Sequence, residues 1–138
     1  MSEVQDKPAL MTRAIPAPVV NVETKPFWDA AAEGRFLIKR CEECHRAFWY
    51  PRAMCPYCFS DKTVWEESPG EGVIYTYSVM HRSPTGPYAI GYVTLNEGPA
   101  VLTNFVGVAP DGLSIGMKVK VQFQDTEGGP PVPVFAPA

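Results

Sequence analysis

The chain has 138 residues, 46% of them hydrophobic, with 15 prolines and 11 glycines, enough for one ordinary domain or two very small ones with a packed core. Its formal charge of −3 argues against a general polyanion binder, which carries a clear positive excess. No apolar run is long enough to cross a bilayer, and the polar opening residues predict no secretory signal.

Residues 1–23 read as an extended N-terminal arm, with Pro8, Pro16 and Pro18 among small and aliphatic residues, either mobile or laid along a partner. A short helix is predicted next, with Thr24 as N-cap, Pro26 in its first turn and Gly34 as its stop. So short a helix must be held by packing. Phe27 suits the core, whereas Trp28 fits a core position or a partner-facing anchor equally well.

The organising stretch follows. All four cysteines of the chain lie in two pairs, Cys41-x-x-Cys44 and Cys55-x-x-Cys58. Two such knuckles at this separation can set four thiolates tetrahedrally around one zinc ion. Four sulfur ligands leave no open coordination position, so the expected zinc is structural, and it supplies much of the folding free energy of a ribbon this small. Thiols meant for zinc must stay reduced, which predicts a cytoplasmic protein. Strands are predicted at 35–40, 47–50 and 63–66, and His45 is expected to face solvent. Residues 35–62 carry a charge of +3 while 1–34 carry −2 and 63–138 carry −4. The zinc tetrathiolate lowers the ribbon by 2, and Arg35, Lys39, Arg40, Arg46 and Arg52 remain as candidate contacts for a phosphate or a partner.

Residues 68–72, rich in proline and glycine, mark an internal boundary between a helix-plus-ribbon part (24–67) and a barrel (68–138). Strands are predicted at 72–80, 88–95, 100–106, 117–123 and 132–135. In the first, Val73, Tyr75, Tyr77 and Val79 share one face and Ile74, Thr76, Ser78 and Met80 the other. Five strands without a long intervening helix predict a mainly β chain ending in a small barrel, of OB type in preference to an SH3-like one. His81 and Arg82 sit in the 81–87 connection after the first barrel strand, which either faces a ligand or partner or is simply a solvated loop.

The order Pro26-Phe27-Trp28, Gly34-Arg35, Arg40-Cys41-x-x-Cys44, Tyr50-Pro51-Arg52, Cys55-Pro56-x-Cys58, Pro87-Tyr88, Glu97-Gly98-Pro99 and Ile115-Gly116-Met117 resembles the zinc-ribbon/OB-fold family long catalogued as a domain of unknown function and associated with acyl-CoA metabolism. The resemblance runs from about residue 24 to the end. It implies a rubredoxin-like ribbon with Cys41, Cys44, Cys55 and Cys58 as ligands, an OB barrel, and a small partner subunit of thiolase-like, lipid-transfer-protein-type or hydratase enzymes acting on CoA thioesters. Phe27, Trp28, Arg35, Arg40, Arg46, Arg52, His81, Arg82 and Tyr88 are the residues expected to face acyl-CoA or that partner.

The residues themselves agree with a non-catalytic role. There is no Gly-x-Ser-x-Gly elbow and no nucleotide-binding glycine loop, and the cysteines are committed to metal. Two alternatives stay open: a stand-alone acyl-CoA binding module, and a single-strand nucleic-acid binder stacking bases on Tyr75, Tyr77, Tyr92 and Phe105. The charge of the barrel segment argues against the second.

Overall fold

The computed structural model describes Leu10 and residues 14–138; most of the predicted arm, Pro8 included, lies outside the described residues. Helix α1 (Lys25–Ala32) starts where expected but is capped differently. Thr24 occupies the N-cap in a helical conformation, and its hydroxyl makes no cap bond. Instead the Asn21 side-chain oxygen accepts the N–H groups of Glu23 and Thr24 at 3.0 and 3.1 Å, and the Asn21 carbonyl accepts that of Lys25 at 2.9 Å. The helix opening is thus organised by an Asx turn at Asn21, three residues before Thr24. At the other end the N–H groups of Gly34 and Arg35 reach back to the carbonyls of Ala31 and Ala30, both at 2.9 Å. This closure requires a left-handed residue, which Gly34 supplies at φ +79°.

Three strands form the ribbon: β1 (Phe36–Cys41), β2 (Ala47–Phe48) and β3 (Thr63–Ser68), in the order β2-β1-β3. β1 and β3 pair antiparallel along their whole length, from Phe36 opposite Ser68 to Cys41 opposite Thr63. The two-residue turn Pro69–Gly70 then leads directly into the barrel, where Gly70 adopts φ +70° against the Val121 side chain.

The barrel consists of β4 (Glu71–Met80), β5 (Tyr88–Leu95), β6 (Ala100–Phe105), β7 (Lys118–Gln124) and β8 (Val132–Pro137), closed in the order β4-β5-β6-β8-β7. The last two strands are exchanged relative to chain order, so β6 meets β8 in parallel at Phe105 and Phe135 while the other pairings are antiparallel. This is the Greek-key closure of an OB-type barrel. A single 3₁₀ turn (Pro110–Gly112) stands in the connection between β6 and β7.

Strict alternation along β4 does not hold. The register against β5 shifts between Ile74 and Thr76: Gly72 and Ile74 point inward, Tyr75 and Thr76 are both exposed, and Tyr77 and Val79 then turn toward the core. One bulged residue inverts the face of everything after it. Gly91 lies opposite Tyr77, and a Cβ there would run into the Thr76 carbonyl oxygen and come within 2.7 Å of Tyr77 Cα.

One continuous core joins the parts. Phe36 stacks at 5.3 Å on Trp49 of the ribbon, 5.9 Å from Phe27 of α1, and 6.3–6.4 Å from Phe135 and Phe123 of the barrel. Trp28 is 6% exposed and belongs to the same cluster. Of its two expected roles, therefore, the core position is the one it occupies, and its indole N–H is buried without a partner among the described residues. Phe27 is fully buried beside it.

The described part of the arm is tied to its own chain at two points. Leu10 is fully buried, its N–H donates to Val108 O at 2.6 Å, and its carbonyl accepts from Gly107 at 3.0 Å. Pro16 bridges to Glu127.

Candidate metal centre and its surroundings

The first knuckle is a tight turn at the end of β1, and the second is a tight turn within the connection between β2 and β3. The N–H groups of Glu43 and Cys44 point at the Cys41 sulfur at 3.4 and 3.5 Å, and that of Tyr57 points at the Cys55 sulfur at 3.4 Å. The residues that follow the knuckles, His45 and Phe59, both turn left-handed, at φ 63° and 65°. This brings all four sulfurs within 4.8 Å of one another, with Cys41–Cys58 at 3.6 Å and Cys44–Cys55 at 3.7 Å. Tetrahedral Zn–S bonds of about 2.3 Å place sulfurs about 3.8 Å apart, so the donor set fits one zinc ion. Cys41 and Cys55 are buried with Phe48 in a small separate core, while Cys58 is exposed.

The electrostatics call for a cation. The backbone N–H of Cys44, helped by that of Glu43, brings the Cys41 thiol down to about 7. Cys58 is pushed up to about 12: a backbone hydrogen bond at Ser60 opposes the shift, but loss of water and the neighbouring thiols outweigh it. Without a positive charge at their centre, four clustered thiols cannot all ionise. A divalent ion removes that conflict and takes four anionic ligands with no position left for substrate.

The arginines of the ribbon do not form the open cationic platform that the charge count suggests. Arg35 is bound to Glu33 at 2.7 Å and to Glu67 at 3.2 Å, and those hydrogen bonds raise its pKa. Arg40 binds Glu66 through two hydrogen bonds and His45 O through a third. Lys39 is 8% exposed, donates to Thr63 Oγ1 at 3.2 Å and lies 4.7 Å over the Trp65 ring, with burial lowering its pKa. Arg46 is stacked 3.6 Å over the Tyr57 ring. Arg52 makes no ion pair among the described residues and lines a groove of about 530 Å³ next to the second knuckle, together with Tyr50, Met54 and Phe59.

His81 lines a different cavity, of about 430 Å³, with Tyr77, Val79 and Asp111. Exposed Arg82 and half-buried Tyr88 do not line that cavity. The structure thus brings the four cysteines together and leaves the other predicted contacts dispersed: Phe27 and Trp28 in the core, Arg35 and Arg40 neutralised, Arg46 stacked, Arg52 on the groove, and His81, Arg82 and Tyr88 around the far loop. Tyr50, Met54 and Phe59 were not singled out in the sequence as contact residues. The available signal was a bulky residue directly after Cys58, where the knuckle turn demands a left-handed backbone.

On the barrel, β4, β5 and β6 hold a single charged residue, Glu71. Tyr75, Ile90, Tyr92 and Leu102 are exposed there, with Leu102 opposite Tyr92 in the register. Of the four aromatics considered for base stacking, Phe105 is buried inside the barrel, and Tyr77 points inward to donate its hydroxyl to Leu113 O at 3.1 Å. A face with two exposed tyrosines and no cation is a poor support for a polyanion.

Comparison with known proteins covers both parts of the fold. Residues 28–64 match the rubredoxin-like zinc ribbon domain of ChsH2, and residues 65–124 match its C-terminal OB-fold domain. A DUF35 domain-containing scaffold protein of Pyrococcus furiosus is 32% identical over 106 residues, covering 72% of this chain and 77% of that protein. A probable enoyl-CoA hydratase alpha subunit of Thermomonospora curvata is 35% identical over 127 residues; the match takes in 89% of this chain but only 40% of the length of that subunit. Among solved structures, a chain of an Ltp2-ChsH2(DUF35) aldolase superposes with a TM-score of 0.76 at 35% identity, covering 87% of this chain and 98% of that one.

Proposed function

This chain belongs to the DUF35 family, built from a ChsH2-type rubredoxin-like zinc ribbon and an OB-fold domain, and from that premise we propose that it is a non-catalytic accessory subunit of an enzyme acting on CoA thioesters. The observation that carries this reading is the match to a chain of an aldolase complex over nearly all of that chain's length. A relative named as a hydratase subunit supports the same chemistry. The chain's own residues support a structural part: the four thiols are gathered at a closed metal site, and the two histidines lie apart, His45 beside the ribbon arginines and His81 at the barrel loop.

The partner in this reading is a thiolase-fold subunit, the compartment is the cytoplasm, and the barrel shapes the acyl entrance of the joint site. Contact with acyl-CoA through this chain would fall to His81 and Arg82 at the barrel loop, which make no ion pair among the described residues. Co-expression with a thiolase-type, aldolase-type or hydratase-type subunit tests this directly. The expected result is an isolable complex whose turnover of an acyl-CoA falls at least tenfold when this chain is withheld. Equal turnover with and without it, together with no complex, would discard the proposal.

A further inference from the structure

The second zinc knuckle bears a residue that metal binding does not explain. Phe59 follows Cys58 at φ 65°, a conformation in which a bulky L-residue is an outlier and glycine is at ease. The matching position of the first knuckle holds His45, a residue type that tolerates this region better. Among the described residues nothing covers the phenylalanine, which is 72% exposed. It stands on the groove of about 530 Å³ whose walls include exposed Tyr50 and Met54 and whose rim at Asn21 and Glu23 continues into exposed Val19 and Val22. Glu23 is held by the Ala53 N–H at 2.8 Å, whereas Arg52 has no carboxylate among the described residues.

We propose that this groove is the docking site for the enzyme subunit, which sets an apolar side chain between Tyr50, Met54 and Phe59 and a carboxylate on Arg52. The inference rests on the accessory-subunit reading. Exposed aromatics and methionine around an arginine that has no carboxylate among the described residues make up the usual core of a protein interface, and one such cation in the groove calls for one complementary acid. A two-fold pairing of the groove with itself would set Arg52 against Arg52. The phosphates of CoA would meet one cation offset by Glu23.

Phe59→Gly separates a docking role from a structural one. Glycine relieves the left-handed backbone, so the variant should bind zinc normally and melt at a higher temperature than the wild type, yet bind the enzyme subunit at least tenfold more weakly in a titration of the purified components. Arg52→Glu should weaken binding similarly, and Arg52→Lys should restore part of it. If the wild-type complex forms and Phe59→Gly binds within twofold of it, the docking site is elsewhere and the accessory reading stands. If the wild type forms no complex with thiolase-, aldolase- or hydratase-type subunits, both are overturned. Binding of CoA or acetyl-CoA that Arg52→Glu abolishes would make the occupant the cofactor, and a wild-type dimer that Phe59→Gly dissociates would make it a second copy; either outcome overturns the proposal.

Discussion

Arg40 holds Glu66 from the neighbouring ribbon strand through two parallel hydrogen bonds, Nε to Oε1 at 2.7 Å and Nη2 to Oε2 at 3.0 Å. The pair removes from the ligand-binding inventory a cation that stood out in the sequence, and it links β1 to β3 beside the first knuckle.

A pH dependence follows from the pair. The Arg40 hydrogen bonds hold the Glu66 carboxyl below its ordinary value of 4.5. A carboxyl depressed in the folded state contributes stability that is complete above the unfolded value and is lost as pH falls through the lower folded one. Both side chains are about one-third exposed, which limits the contribution to at most about 1 kcal/mol. Glu66→Gln should therefore lower the urea midpoint at pH 7 slightly and flatten its decline from about pH 5 to pH 3. Parallel wild-type and variant curves over that interval would deny the pair any role.

Zinc removal should act on the ribbon according to burial. Metal analysis is expected to return one zinc per chain, in line with the single four-sulfur cluster. Cys55 is buried and Cys58 exposed, so Cys55→Ser leaves a hydroxyl in an apolar shell while Cys58→Ser leaves one in water. We expect Cys55→Ser to lose zinc and solubility, and Cys58→Ser to retain a weakened site that a chelator empties faster than the wild type. Structural zinc contributes on the order of 10 kcal/mol to such modules. Normal stability of Cys55→Ser after chelation would rule out a structural metal.

The division at residues 68–72 can be tested at Phe36. This ring touches α1, the ribbon and two barrel strands at once. Phe36→Ala should cost about 3–5 kcal/mol, and near- and far-ultraviolet circular dichroism should lose both parts in one transition. Two resolved transitions, with the barrel melting unchanged, would establish independent domains in place of one folding unit.

The bulge in β4 makes a sharp demand on β5. Because Tyr75 is the extra residue, Thr76 O and Tyr77 Cα close down on Gly91. Gly91→Ala must push backbone, not a flexible side-chain tip, and should destabilise by about 3 kcal/mol, the upper end of overpacking costs. Glycine freedom is not the issue at Gly91, which has no left-handed φ; Gly128, at φ 81° with open space around its Cβ position, is a site where alanine would be penalised by conformation alone. Calorimetry of the two variants should show the larger loss at Gly91.

What could be read in advance depended on whether the determining interactions were local. The cysteine spacing carried the metal site because each knuckle is built within four residues, and the barrel strands were visible through alternation and turn residues. The β4 bulge was not, since Tyr75 and Ile74 are equally good strand formers and only pairing with β5 decides which is displaced. The fate of Arg40 was hidden for a similar reason: its partner Glu66 lies 26 residues away, across a strand pairing that no periodicity reveals, whereas Arg35 has Glu33 two residues away as well as distant Glu67. Thr24 looked like the cap on local grounds, but Asn21 was near enough to compete and has the better side chain for accepting two donors.

Leu10 gives the fold an unexpected debt to its own beginning. Its side chain is sealed in the common core and its backbone is stitched to Gly107 and Val108, although the recognisable ribbon and barrel regions start only at residue 28. A protease cutting between residue 10 and α1, or a trimming guided by motif boundaries, would pull the stopper from the barrel while sparing every zinc ligand and every strand.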